Sequence, residues 1–228
     1  MAKDAKSAFC EDSRVKFPTL MHLMGMGFKY VSLKGLKTKY VEAPKTEFDP
    51  LTNILTDYFT DAYCTLNPKA EKKDAEDMLV KIQKSLQNDD LGRQFYNEIL
   101  LNTGERIIDL SSPANFYRNN TFQVTTEMTC GSKDSDNYRP DITIFVNGLP
   151  LAFIEVKKEN NHKGIQAETD RMKQRFVNPQ YRRFLNITQI MVFSNDMEYD
   201  NNEVTPTIGA FYATIGKKNT KYNCFREE

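Results

Sequence analysis

The feature that most constrains the fold is a pair of apolar runs joined by two turn-forming residues. Residues 137–160 read NYRPDITIFVNGLPLAFIEVKKEN, and Asn147-Gly148 separates the two runs. Both runs are rich in Ile, Val and Phe, which suit a pleated surface, and Asn-Gly between such runs is a strong signal for an antiparallel hairpin. The sequence therefore predicts two neighbouring strands connected by a tight turn.

The charged residues that directly border or interrupt the two apolar runs are Asp141, Glu155 and Lys157. Whether they meet depends on the register of the hairpin. A two-residue loop without any irregularity would pair Asp141 with Ile154 and place Glu155 on the opposite face of the sheet. An odd-length loop, or one bulge, would place all three charges on one face. We predict this second register, with the shared face formed by Asp141, Thr143, Phe145, Phe153, Glu155 and Lys157.

Two carboxylates on one face create an electrostatic problem that a cation would solve. At about 4 Å they repel each other by roughly 4 kcal/mol at an effective dielectric constant of 20, and one lysine offsets this only in part. Magnesium suits such a pair because it binds one or two carboxylates and keeps positions for water and phosphate. The backbone carbonyl of Val156 is a further candidate ligand. The pattern favours phosphodiester hydrolysis, although a salt-bridged surface hairpin has the same spacing.

The rest of the chain divides into a helical part and a mixed part. Apolar residues recur at helical spacing from Leu51 to Ala62 and from Ala75 to Leu86, and a third helix is predicted over 91–104. From Arg106 onward, strand-like runs at 106–110, 122–129, 189–196 and 205–214 flank a helical pattern at 164–178. We therefore predict an α/β fold with a mixed central sheet flanked by helices. Its parts would be an amino-terminal helical layer over residues 1–105 and a core over residues 106–228.

Composition and missing motifs exclude several functions. The 31 basic and 31 acidic residues balance, so any binding to nucleic acid requires a local basic patch. The four cysteines form no CxxC pair, and no GxxxxGK[ST] phosphate loop is present, so we expect no zinc knuckle and no ATP site in this chain. No apolar run approaches the roughly 20 residues that span a bilayer, so we expect no membrane partner and a cytoplasmic location.

The charged residues of the hairpin also match a known motif. Pro140-Asp141, followed after the turn by Glu155-Val156-Lys157, resembles the PD-(D/E)xK nuclease signature. The fuller string RPDITIFVNGLPLAFIEVKK, with QIMVFSND further on, resembles the amino-terminal endonuclease domain of the R (restriction) subunit of type I restriction-modification enzymes. The resemblance implies a Mg²⁺- or Mn²⁺-dependent endonuclease that cuts double-stranded DNA without sequence specificity of its own. It also implies that Asp141 and Glu155 bind the metal and that Lys157 is the catalytic lysine.

The resemblance suggests auxiliary residues less directly. Members of the family often carry a QxxxY pattern on the helix after the lysine, but Met172 and Phe176 occupy here the likely positions of the glutamine and the tyrosine. The auxiliary candidates are Gln166, Gln174 and Arg175 on that helix and Glu11 near the start of the chain. The candidates for DNA contact are Arg139, Lys158, Arg171 and Lys173.

The family context implies partners that this sequence does not contain. In the complete enzyme the R subunit continues into an ATP-driven DNA translocase, whose motifs are absent here, so ATP is expected only for that motor. The expected partners are double-stranded DNA and the methyltransferase and specificity subunits. The alternative function is a non-catalytic DNA-binding or assembly module that retains the nuclease fold.

Overall fold

Within the part of the chain that the structure describes, the central element of the computed structural model is a mixed sheet of seven strands. The structure describes residues 15–34, 36–37, 42–43, 47–102, 104–130, 138–157, 164–194, 210–214 and 223–224. The strands are β1 (Lys29–Tyr30), β2 (Leu36–Lys37), β3 (Glu42–Ala43), β4 (Phe122–Thr126), β5 (Ile142–Val146), β6 (Leu149–Val156), β7 (Ile190–Ser194), β8 (Ala210–Thr214) and β9 (Asn223–Cys224). The order in the sheet is β1-β4-β5-β6-β7-β8-β9, and β2 pairs separately with β3.

Both parallel and antiparallel pairs occur in the main sheet. Strand β1 runs parallel to β4, and β6 runs parallel to β7, whereas the other neighbouring strands are antiparallel. The chain passes through two helices between β6 and β7, as a parallel connection requires. The α/β class and the mixed, helix-flanked sheet predicted from the sequence are confirmed.

The hairpin between β5 and β6 has a two-residue turn and one bulge. Asn147 and Gly148 have φ angles of 52° and 76°, as in a type I′ turn, and Val146 pairs directly with Leu149. The register shifts between Ile144 and Phe145, so that Leu151 is an extra residue in β6. The predicted register is therefore confirmed, and a bulge produces it.

Contacts with the rest of the chain hold this turn in place. The Asn147 side chain accepts a hydrogen bond from the Thr121 backbone N–H at 2.8 Å and donates one to the Ile107 carbonyl at 2.9 Å. The Gly148 carbonyl accepts a hydrogen bond from the Leu55 N–H at 2.9 Å. A Cβ atom at Gly148 would lie 2.5 Å from the Leu55 carbonyl oxygen, so only glycine fits this position.

Helices cover both faces of the sheet. They are α1 (Phe17–Gly25), α2 (Thr56–Leu66), α3 (Lys72–Ser85), α4 (Pro113–Asn119), α5 (Gly164–Phe176) and α6 (Arg182–Ile187), with a short π-helix over Phe95–Leu100. One face of β5 and β6 packs with Met172 of α5 and Phe184 of α6, and the other face packs with Leu23 of α1. Within the described residues, no helix is long and apolar enough to cross a membrane.

The amino-terminal helices form a core of their own that continues into the hairpin. Buried residues of α2, α3 and the π-helix pack in one cluster with Val146 and Leu149. Helix α3 matches its prediction. The first predicted helix was wrong at its start, because α2 begins at Thr56 and not at Leu51. Asn53 has a φ of 61° and Leu55 is extended, since its N–H bonds to the hairpin turn.

Two other sequence predictions were wrong. The third helix does not extend to Gly104, because the π-helix ends at Leu100. Residues 106–110 do not form a strand, although Ile107 and Ile108 are buried. Polar side chains bond to the backbone there: the Asn120 side chain accepts a hydrogen bond from the Asp109 N–H at 2.9 Å. Burial alone produced the apolar pattern that we interpreted as a strand.

Candidate active site

The bulge in the hairpin brings the three predicted charged residues together at one end of the sheet. Asp141 directly precedes β5, Glu155 lies near the end of β6, and Lys157 follows β6. The Val156 N–H donates a hydrogen bond to Asp141 Oδ2 at 3.0 Å. Lys157 Nζ lies 3.9 Å from Glu155 Oε2. The acids and the lysine therefore form one cluster.

Glu155 is the most perturbed residue of this cluster. It is 4% exposed, and burial together with the nearby negative charge of Asp141 raises its pKa to about 8. Glu168 adds to the rise, whereas the Tyr138 hydroxyl and the Lys157 ammonium oppose it. Burial disfavours the ionised carboxylate, and so does repulsion by a second acid. The site thus favours a positive ion beside Glu155, or a proton on it.

Tyr138 contacts the cluster from the segment before Asp141. Its hydroxyl donates a hydrogen bond to Glu155 Oε1, and the side chain is buried. The pKa of this hydroxyl is raised by burial and by the charge of Glu155, so Tyr138 is a hydrogen-bond donor at neutral pH.

Glu168 on α5 is a third acid that the sequence reasoning missed. It is 2% exposed, and its Oε2 lies 3.8 Å from Lys157 Nζ. Arg171, one turn further along α5, contacts the same oxygen at 2.7 Å. Lys157 therefore lies between Glu155 and Glu168. An acid on the inward face of the predicted helix was the available signal, but helical spacing alone does not distinguish it from a surface acid.

Lys16, directly before α1, also reaches the site. Its Nζ lies 3.3 Å from Asp141 Oδ1 and 2.9 Å from Glu127 Oε1. Glu127 follows β4 with a φ of 52°, an uncommon conformation for a residue other than glycine. Its N–H bonds to the Asp141 carbonyl at 3.2 Å. Lys16 thus places a positive charge beside Asp141. No local sequence pattern had indicated this contact.

The donor set fits a hard divalent cation bound by few protein ligands. Within the described part of the chain, no group of three or more His, Cys, Asp or Glu side chains is placed to hold a metal. Magnesium does not require such a cage, because it typically binds one or two carboxylates and keeps several waters. Asp141 and Glu155 supply that number, and a cation would offset both the burial and the repulsion by Asp141 that raise the pKa of Glu155. The Val156 carbonyl remains a predicted ligand.

A comparison with known families identifies the chain's relatives. The family model described as type I restriction enzyme R protein N terminus matches residues 9–204. The chain belongs to this family. The match includes the complete cluster of Asp141, Glu155 and Lys157. A search of curated proteins found no match.

Membership of the R protein family relates this chain to the restriction subunit of type I restriction-modification systems, and so to DNA. It supports a nuclease-related role for the amino-terminal region.

The auxiliary residues predicted on α5 do not all face the acids. Arg175 is half-buried, and its guanidinium carbon lies 3.8 Å from the centre of the Tyr138 ring. Gln174 is exposed on α5. Gln166 belongs to α5, but its side chain lies outside the described residues, as does Glu11. Met172, at the position where the family often has glutamine, is fully buried.

The residues predicted to contact DNA differ in their surroundings. Arg139 is exposed beside Asp141. Arg171 and Lys173 have side chains that are 60% exposed, and they pair with Glu168 and Asp170 on their own helix. Lys158 lies outside the described residues. These residues remain predictions for DNA contact.

Proposed function

We propose that this R protein domain is a metal-dependent endonuclease that hydrolyses phosphodiester bonds in double-stranded DNA without sequence specificity of its own. The observation that carries the proposal is the bulge of β6, which places Asp141, Glu155 and Lys157 on one face of the hairpin. A bound Mg²⁺ or Mn²⁺ would polarise a phosphate oxygen and lower the pKa of a coordinated water.

The side chains have distinct roles in this proposal. Asp141 and Glu155 hold the cation with one carboxylate each. Lys157, held between Glu155 and Glu168, presents its ammonium to the phosphate and stabilises the charge that develops there. Arg139 and the basic residues of α5 contact the DNA backbone, which steers binding without reading bases. We further propose a cytoplasmic enzyme that acts with the methyltransferase and specificity subunits and with an ATP-driven motor.

The first test measures nicking of supercoiled plasmid DNA by the 228-residue chain, with Mg²⁺ or Mn²⁺ and with EDTA. We expect metal-dependent nicking that is lost in Asp141→Ala and Lys157→Ala. The matched controls are Asp77→Ala and Lys81→Ala, since both residues are exposed on α3 and far from the hairpin in sequence. Circular dichroism of each variant shows whether it folds.

The opposite outcome supports the alternative function. If the wild-type chain binds DNA but never cuts it with either metal, and if both site variants bind equally well, the domain is a non-catalytic DNA-binding or assembly module. Equal loss of nicking in the control variants would also contradict the proposed roles.

A further inference from the structure

The two oxygens of the Glu155 carboxylate have different partners. Oε1 accepts a hydrogen bond from the Tyr138 hydroxyl, whereas Oε2 lies on the side of Lys157, 3.9 Å from its ammonium. A hydrogen bond to one oxygen fixes the rotation of a carboxylate about its last bond, because turning the group would break that bond. Glu155 therefore has one oxygen that is hydrogen-bonded to Tyr138 and one that faces Lys157.

The Tyr138 ring is held firmly enough to impose this orientation. The side chain is 5% exposed and packs against the rings of Phe153, Tyr181 and Phe184, with centroid separations of 6.0, 6.4 and 5.4 Å. Its backbone carbonyl accepts a hydrogen bond from the Cys130 N–H at 2.8 Å. The ring lies in the aromatic core on one face of β6, so its hydroxyl has little freedom to move.

Helix α5 also restrains the Tyr138 ring, through Arg175. The Arg175 guanidinium carbon lies 3.8 Å from the Tyr138 ring centre, a close stacking geometry for a cation over an aromatic face. Arg175 Nη1 also lies 3.3 Å from the sulfur of Met172, one turn earlier. Helix α5 thus reaches Glu155 through Tyr138, besides its direct contribution of Glu168 to Lys157.

We propose that Tyr138 is a positioning residue, which orients the Glu155 carboxylate so that Oε2 is presented to the cation, and that Arg175 holds Tyr138 in place. The inference rests on the proposed function, because it concerns how Glu155 binds the metal. Hydrogen bonds from residues outside the ligand set orient metal ligands, and losing one typically costs about 10- to 100-fold in metal affinity.

The test is calorimetric titration of the 228-residue chain with MnCl₂ in the absence of DNA. Tyr138→Phe removes the hydroxyl but keeps the ring, so the aromatic packing and the Arg175 stack remain. We expect its affinity for Mn²⁺ to fall by about 10- to 100-fold. The matched control is Tyr63→Phe, which changes a buried tyrosine of α2 in a different core cluster and should bind Mn²⁺ like the wild type.

A second variant and a spectroscopic measurement separate positioning from stability. Arg175→Gln keeps the Tyr138 hydroxyl but removes the cation stacked on its ring. We expect a smaller loss of Mn²⁺ affinity than in Tyr138→Phe, about two- to fivefold. The electron paramagnetic resonance spectrum of bound Mn²⁺ should change in Tyr138→Phe and stay unchanged in Tyr63→Phe. Thermal denaturation in EDTA shows whether each variant is folded.

The outcomes distinguish this inference from the function on which it rests. If the wild-type chain binds no Mn²⁺, the proposed function is overturned and the positioning role falls with it. If the wild-type chain binds Mn²⁺ and Tyr138→Phe binds it within twofold of the same affinity, only the positioning role is overturned. If Tyr138→Phe does not fold, unchanged Mn²⁺ binding by Arg175→Gln overturns the role.

Discussion

Replacing Glu155 by glutamine should stabilise the metal-free protein, and the gain should grow with pH. Glu155 is buried beside Asp141, and its pKa in the folded protein is raised to about 8 from an ordinary value of 4.5, by burial first and by Asp141 second. The protonated carboxyl is therefore favoured by folding. Its contribution to stability is complete below about pH 4.5 and is lost as the pH rises through about 8.

The size of the effect follows from the two pKa values. At about 1.4 kcal/mol for each pKa unit, the distance from 4.5 to about 8 corresponds to ~5 kcal/mol above pH 8. Relaxation of the site around the charge reduces this value, so we expect Glu155→Gln to raise the free energy of unfolding by about 2 to 4 kcal/mol at pH 8. At pH 4.5 the difference should be close to zero, because the wild-type carboxyl is then protonated when folded.

The assay is urea denaturation in EDTA at pH 4.5, 6 and 8, followed by circular dichroism because the chain has no tryptophan. Glu105→Gln is the matched control, since Glu105 is an exposed acid paired with Lys81. Its effect should be small, because the Glu105 side chain is exposed. A Glu155→Gln protein whose stability relative to wild type is the same at all three pH values would refute the reasoning. Adding MnCl₂ at pH 8 should stabilise the wild type but not this variant.

Three further predictions concern the surroundings of the site and the fold. The Lys16→Met variant should bind Mn²⁺ about two- to fivefold more tightly by calorimetry, because in the wild type the Lys16 ammonium competes with the cation for Asp141 Oδ1. Weaker binding would show that Lys16 helps to assemble the site. Gly148→Ala should lose about 2 to 4 kcal/mol in urea denaturation, since the new Cβ combines a positive φ with a clash against the Leu55 carbonyl; an unchanged midpoint would contradict this. Asp109 has a pKa lowered to about 2 by hydrogen bonds from the side chains of Ser111 and Asn119 and from the Ser111 backbone. The stability that it contributes is present above about pH 4 and is lost as the pH falls towards 2. As the pH falls from about 4 towards 2, the melting temperature of Asp109→Asn should therefore fall less than that of the wild type. Equal falls would contradict the lowered pKa of Asp109.

Local sequence patterns predicted part of the candidate site. Asn147-Gly148 between two apolar runs predicted the hairpin, and the chemistry of two acids and a lysine required a bulge or an odd loop. The structure has that bulge at Leu151. Its position was not predictable, because any residue of β6 that shifts the register by one would have put Asp141 and Glu155 on the same face.

Two of the wrong predictions of secondary structure have a common physical cause. Leu51 and Ile54 fit a helical pattern, but the Leu55 N–H bonds to the Gly148 carbonyl and the chain there is extended. Residues 106–110 look like a strand, but side chains take the place of strand partners. In both cases, contacts with residues distant in sequence outweigh the local preference for helix or strand.

The amino-acid sequence by itself determined the α/β class, the hairpin and the three charged residues, because each depends on spacing along a short stretch of chain. Only the tertiary structure decided what surrounds them. Lys16 reaches Asp141, Glu168 reaches Lys157, and Tyr138 reaches Glu155, through packing between elements that are separate in sequence. A side chain's protonation and orientation depend on such neighbours. The spacing of residues within one helix or strand does not specify how far that element lies from another in space.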